Sequence, residues 1–129
     1  GAKAKNLFLR DRYSNRRFLV VVPYAKRIDL AGLAAALGLR KLIFATAEEL
    51  LASLGVTPGA VSVLALVNDR GHSAELVIDE AIWRADRIQC HPLVNTATLV
   101  LSLEGLRQFL QATGHPAQVI DVPARPEVI

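Results

Sequence analysis

The chain has 129 residues, the size of one domain, and a core that a chain of this length can bury without help from a disulfide or metal. Its 52% hydrophobic and 21% charged content excludes a disordered chain, and the single Cys90 excludes an internal disulfide framework. The formal charge of +3 is uneven: residues 1–27 hold eight basic residues against Asp11 alone, while the remainder holds seven basic and eleven acidic ones. A basic end of this kind suits a polyanionic partner, and equally a solvated basic hairpin.

In chain order, Asn6 to Arg10 and Phe18 to Val22 read as strands joined by a polar hairpin loop. Asp29 caps a helix that buries Leu30, Leu33 and Leu37 and stops at Gly38. Leu42 to Phe44 is a short strand. Thr46 and Glu49 form a capping box for a second helix, with Leu50, Leu51 and Leu54 inward and Gly55 at its end. The apolar run Val61 to Val67 reads as a strand, and Ala74 to Ile78 as another after the Asn68–Gly71 turn. One or two helical turns follow over Asp79 to Ala85, then a short strand toward Cys90, broken at His91-Pro92. Thr96 to Leu101 is a strand and Ser102 caps a last helix burying Leu103, Leu106, Phe109 and Leu110. Gly114 closes that helix, Ala117 to Val122 is a final strand, and the proline-containing tail is expected to be loose. Hairpins mixed with crossover helices imply an α+β fold built on a mixed sheet, in one domain spanning 1–129.

The uncharged stretch ahead of Asp69 is interrupted by Gly55, Pro58, Gly59 and Asn68, which does not suit a membrane-spanning helix, so a cytoplasmic protein is expected. His72, His91 and His115 are scattered, and the Cys90-His91 pair lacks zinc-ligand spacing, so no metal is expected; His115, at a helix exit, reads as a solvated turn residue. Ser62, His91 and Asp69 have the side chains of a hydrolytic triad, but no nucleophile-elbow glycine pattern surrounds Ser62. Two segments stand out because polar residues interrupt apolar strands. Lys5-Asn6 opens the first strand, where a lysine aimed into a cleft holds a phosphate or polarises an ester carbonyl. His91-Pro92-Leu93-Val94-Asn95-Thr96-Ala97-Thr98 gathers donors and acceptors in a loop feeding a strand.

Lys5-Asn6-Leu7-Phe8-Leu9-Arg10-Asp11, Gly55-Val56-Thr57-Pro58-Gly59-Ala60-Val61-Ser62 and the His91–Thr98 segment occur in that order. Together they resemble the YbaK-type aminoacyl-tRNA deacylases, and within them the freestanding prolyl-tRNA editing proteins. The resemblance implies a mixed, partly barrel-like sheet flanked by helices, and hydrolysis of the ester between a wrong amino acid and tRNA, with alanine on proline tRNA the error removed. A pocket that admits alanine and sterically excludes proline acts as a second sieve. By the same resemblance Lys5 and His91 are the catalytic residues, and Asn6, Gly55, Pro58, Gly59, Ser62, Asn95 and Thr96 bind the substrate. Arg10, Arg12, Arg16 and Arg17 of the basic end are the residues expected on tRNA. No metal or organic cofactor is implied; tRNA is the partner, with prolyl-tRNA synthetase a second one, and no DNA is expected. Val63 and Cys90 depart from the family pattern, where proline and a bulky residue are common, and bear on the pocket outline. The alternatives are the same reaction on another misacylated tRNA, carrying cysteine or serine, or a non-catalytic module that binds tRNA or a synthetase. Because the chain opens at Gly1 without any methionine, a leading segment before Lys5 is expected to be missing.

Overall fold

The computed structural model describes residues 2–90 and 99–126. Its strands are β1 (Ala4–Asp11), β2 (Arg17–Pro23), β3 (Leu42–Phe44), β4 (Ala74–Asp79), β5 (Arg87–Cys90), β6 (Leu99–Ser102) and β7 (Ala117–Ile120). Its helices are α1 (Leu30–Ala36), α2 (Ala47–Leu54), α3 (Glu80–Trp83) and α4 (Leu103–Thr113). Five strands form one mixed sheet in the order β3-β1-β2-β4-β7, and β5 and β6 pair as a separate hairpin. β1 runs antiparallel to β2 and β3, whereas β2–β4 and β4–β7 are parallel, the expected mixed α+β arrangement. Among the described strands this sheet is open, with β3 and β7 at its edges.

Strand β2 sits at the centre and is apolar on both faces, which is why Phe18 to Val22 reads as a continuous hydrophobic run. Phe18, Val20 and Val22 pack with Leu9, Leu33 and Leu42 under α1. Leu19 and Val21 pack with Phe8, Leu54, Leu66 and Leu106 on the other face, beneath α2 and α4. The caps fall where the sequence puts them. Asp29 accepts from Gly32 N–H, Thr46 from Glu49 N–H and Ser102 from Gly105 N–H, and Gly55 and Gly114 end α2 and α4 in the left-handed region.

Four expectations are corrected. Val61 to Val67 is not a strand: Pro58–Ala60 and Val63–Asn68 are 3-10 turns, and the Ser62 hydroxyl accepts from Leu64 N–H to start the second. A short apolar run fits a buried strand or a buried helical segment equally well, and here the cap decides. Leu51 faces outward, 58% exposed, because a helix of eight residues buries only the Leu50–Leu54 stripe. The tail is pinned, not loose: Val122 is buried, Asp29 N–H donates to Pro123 O, and Arg125 N–H donates to Arg27 O. His115 is 3% exposed, its Nε2 lying 3.0 Å from Asp69 Oδ2, and so is no solvated turn residue.

Candidate active site

The Lys5-Asn6 pair lies on a stretch of β1 that the described strands leave uncovered on the side away from β2. Along a strand, backbone groups point alternately to either side. Lys3 and Asp11 address β2: Tyr24 N–H donates to Lys3 O, and Asp11 N–H to Arg16 O. The even-numbered residues therefore address the outer side. There Ala45 N–H donates to Phe8 O and Arg12 N–H to Lys41 O, so β3 and the residue after it cover the strand from Phe8 onward. At the other end Ala2 N–H donates to Arg87 O and Gln89 N–H to Ala2 O, so β5 covers Ala2. Between these two, at Ala4 and Asn6, no described strand pairs with β1. The sheet has a notch there.

The bridge between Ala2 and Ile88 is parallel, so β5 runs on from it in the direction that β1 takes toward Lys5 and Asn6. Cys90 and Leu99 are register partners at the end of this hairpin. His91, Asn95 and Thr96 themselves lie outside the described residues.

A cleft of about 190 Å³ opens beside the notch, lined by Asn6, Phe44, Thr46, Ala47, Pro58 and Val61 with an apolar floor of Leu7, Phe8 and Leu50. Alternation along β1 puts Asn6 on the Phe8 face and Lys5 on the Leu7 and Leu9 face. Phe44 pairs with Leu9 and shares its face, so the cleft wraps around the sheet edge and takes residues from both sides. Lys5 is half-buried at this edge, two residues along from Leu7. Asn6 Oδ1 is buried and, among the described residues, has no hydrogen-bond partner. Such an acceptor costs about 1–3 kcal/mol unless something pays it back.

Of the Gly55–Ser62 segment, only Pro58 and Val61 line the cleft. Gly55 and Ser62 shape the segment instead. Gly55 holds φ +68°, and a Cβ there would also press on Asn68 Nδ2 at 3.1 Å, whose amide donates to Leu54 O. Ser62 is fully buried and spends its hydroxyl on the Leu64 cap. Gly59 is exposed, and a Cβ there would meet nothing within 4 Å. The Ser62–Asp69 part of a triad is not assembled, because Asp69 accepts from Ser73 N–H, the Ser73 hydroxyl and Ala74 N–H and contacts His115. Val63 is core and does not line the cleft.

Three arginines of the basic hairpin are ion-paired within the fold, to two carboxylates. Glu49, on α2, takes Arg10 on one oxygen and Arg17 on the other, each at 3.1 Å. Burial pushes the Glu49 carboxyl up, but the Arg10 and Arg17 hydrogen bonds outweigh it and hold it below the usual range. Arg16 pairs with Glu75 at 2.8 Å. Arg12 remains exposed, beside Lys41, and Arg40 lies 4.8 Å over the Tyr13 ring. Thr46 and Phe44 were recognisable in the sequence only as a helix cap and a strand residue; Arg40 and Lys41 carried no signal beyond charge.

A larger cleft of about 430 Å³ lies between α4 and β7, lined by Trp83, Arg107, Gln111 and His115. Its buried polar group, His115, is already bonded to Asp69, and the Arg107 guanidinium sits 5.0 Å over the Trp83 ring. Size favours this cleft, but Asn6, with its buried acceptor, lines the smaller one; Lys5 is its chain neighbour on the other face of β1 and does not line either cleft. Among the described residues no group of three His, Cys, Asp or Glu side chains comes together to hold a metal, and no helix is long and apolar enough to cross a membrane.

Comparison with known proteins supplies the family. The family model of the aminoacyl-tRNA editing domain matches residues 1–109. The prolyl-tRNA editing protein ProX of Acetoanaerobium sticklandii is 37% identical over 118 residues, covering 92% of this chain and 72% of that protein. The prolyl-tRNA synthetase associated domain-containing protein 1 of Bos taurus is 35% identical over 125 residues, covering 94% and 72%. A crystal structure described as a candidate trans-editing enzyme for prolyl-tRNA synthetase superposes with a TM-score of 0.70 at 21% identity, covering 95% of this chain and 71% of that one. At that identity the structural likeness speaks to the fold alone. The family match and the two relatives carry more: the chain belongs to the aminoacyl-tRNA editing domain family, the deacylases of mischarged tRNA.

Proposed function

We propose that the protein hydrolyses alanyl-tRNA(Pro) in trans, releasing alanine by attack of water on the aminoacyl ester. The observation that carries this reading is the cleft of about 190 Å³ at the β1 notch, with Asn6 Oδ1 buried beside it and without a partner among the described residues. A cleft of this size suits a small aminoacyl group. Its floor of Leu7, Phe8 and Leu50 suits a methyl side chain, which favours alanine over serine. Proline adds a ring that the walls at Pro58 and Val61 oppose, and steric exclusion of a larger group discriminates far better than the loss of a methylene does.

In this reading Asn6 Oδ1 accepts from the substrate's α-ammonium and fixes the aminoacyl end. Lys5 brings a positive charge to the ester or the terminal phosphate, where it stabilises the negative charge developing on the carbonyl oxygen. His91, carried by the 91–98 segment, contacts the terminal ribose or the ester; Asn95 and Thr96 bind beside it. Pro58 and the backbone around Gly59 bound the aminoacyl group, with Gly55 and Ser62 holding that segment in shape. The water adds to the carbonyl carbon and the ribose oxygen leaves with a proton, so free alanine and uncharged tRNA result. An aminoacyl ester is activated, and the neighbouring 2′-hydroxyl in a fixed geometry supplies much of the assistance needed. No metal or organic cofactor takes part. Prolyl-tRNA synthetase, as the source of the mischarged tRNA, is the natural second partner.

The test is deacylation of alanyl-, cysteinyl-, seryl- and prolyl-tRNA by the purified protein, with Lys5→Ala and His91→Ala as controls. Alanine should be lost from proline tRNA while proline is retained. Preferential release of cysteine or serine moves the substrate within the family. Absence of hydrolysis on every mischarged tRNA, with tRNA still bound, would leave the non-catalytic module.

A further inference from the structure

We propose that edge strand β3 carries the single-stranded 3′ end of the RNA, with the terminal base stacked on Phe44 and the phosphates behind it held by Arg12, Arg40 and Lys41. This rests on the deacylase reading of the cleft and adds the path by which the substrate reaches it. The cleft, at about 190 Å³, is smaller than the roughly 300 Å³ at which pockets begin to enclose whole small molecules. An aminoacyl group fills it, and the nucleoside to which that group is esterified must stay outside, against the rim. The exposed rim residues are Phe44, Thr46, Ala47 and Pro58, and of these Phe44 alone presents an aromatic face. Its ring is 59% exposed, on an edge strand that, among the described strands, pairs with β1 alone. A base stacks on such a face whatever its identity.

The opposite end of β3 supplies charge. Lys41 directly precedes the strand and stands about 10 Å from Phe44 along it, at the usual strand rise. Arg12 N–H donates to Lys41 O at 3.0 Å, which brings a second exposed cation alongside. Arg40 is the third, held over the exposed Tyr13 ring. Of the carboxylates at this end, Glu49 is shared by two arginines, and Asp11 keeps a charge that offsets only one of the three cations. Asp11 accepts from the Ser14 hydroxyl and Tyr13 N–H, and Glu49 is divided between Arg10 and Arg17. Arg10, Arg16 and Arg17 are therefore ion-paired within the fold, whereas Arg12, Arg40 and Lys41, less the charge of Asp11, leave a net positive charge beside the strand that ends at the cleft.

Equilibrium binding of two hairpin RNAs with CCA ends, one finished by adenosine and one by an abasic 3′ nucleotide, separates the two halves of this proposal. Phe44→Ala should raise Kd about tenfold for the adenosine-ended RNA and leave the abasic-ended RNA unchanged, with Phe44→Trp restoring the difference. Replacing Arg12, Arg40 and Lys41 together with alanine should flatten the slope of log K against log salt by about 2 units, at about 0.7 per single-strand phosphate contact. All four side chains are exposed, and thermal melting of each variant checks that folding is intact. An unchanged slope, or equal loss on both RNAs, would overturn the proposal. Deacylation by the unaltered protein, measured in parallel, keeps the two ideas apart. Activity with insensitive variants removes the β3 path and leaves the deacylase, whereas the expected binding changes without any hydrolysis do the reverse.

Discussion

Two buried polar groups in this protein are treated in opposite ways. Asp69 has every lone pair occupied. Ser73 N–H and the Ser73 hydroxyl take one oxygen, and Ala74 N–H and His115 Nε2 take the other. Asn6 Oδ1, buried beside the β1 notch, has no partner among the described residues. A satisfied hub ties the turn before β4 to the end of α4 and holds the fold. An unsatisfied acceptor weakens the fold, and it makes sense where a ligand arrives to complete it. The two sites should accordingly fail differently when altered.

The largest effect is expected at the hub. Asp69→Ala strands His115 and two backbone N–H groups in the interior, so stability should fall by about 3 kcal/mol and Tm by roughly 10 °C, as calorimetry would register. At the notch, Asn6→Ala should cost about a hundredfold in kcat/KM on alanyl-tRNA, about 2.7 kcal/mol, with Tm unchanged or slightly raised. A fall in Tm comparable to that of Asp69→Ala would erase the contrast and make Asn6 a structural residue.

The pH response sharpens the same contrast. Burial pushes the Asp69 carboxyl up, but its bonds from Ala74, His115 and Ser73 outweigh that and hold it below its ordinary value of 3.8. A lowered native pKa contributes stability that is complete above the unfolded value and lost as pH falls through the native one. Denaturant titrations below pH 4 should show that loss in the unaltered protein and a flatter acid limb in Asp69→Asn. Smaller still, Thr46→Ala removes the α2 cap at the cleft wall and should cost about 1 kcal/mol in urea unfolding. Smallest is Arg16→Ala. Its pair with Glu75 is exposed, 46% and 36% at the two side chains, and should contribute under about 0.5 kcal/mol.

Local signals were the readable ones. Asp29, Thr46 with Glu49, Ser102, Gly55 and Gly114 mark helix ends because capping is decided within four residues of chain. The Lys5-Asn6 and Pro58 segments were legible as motifs, and the fold brings Asn6 and Pro58 to one cleft. What stayed hidden depends on distance along the chain. Glu49 reaches Arg10 and Arg17 across 39 and 32 residues, and His115 reaches Asp69 across 46. No local pattern announces such partners, so arginines already ion-paired read as free charge and a buried histidine read as solvated. Phe44 has the opposite history: an apolar strand residue that proximity to the notch, and not its own pattern, makes interesting.

The notch also bears on how the molecule avoids its own kind. An uncovered strand edge invites another chain to pair with it, and proteins blunt such edges by keeping them short. β3 covers β1 from Phe8 onward and β5 covers Ala2, so the described strands leave only Ala4 and Asn6 pointing outward between two blocking ends. A slot with room for so few backbone pairs is too short to seat a strand of ordinary length, about five or six residues, from a neighbouring molecule.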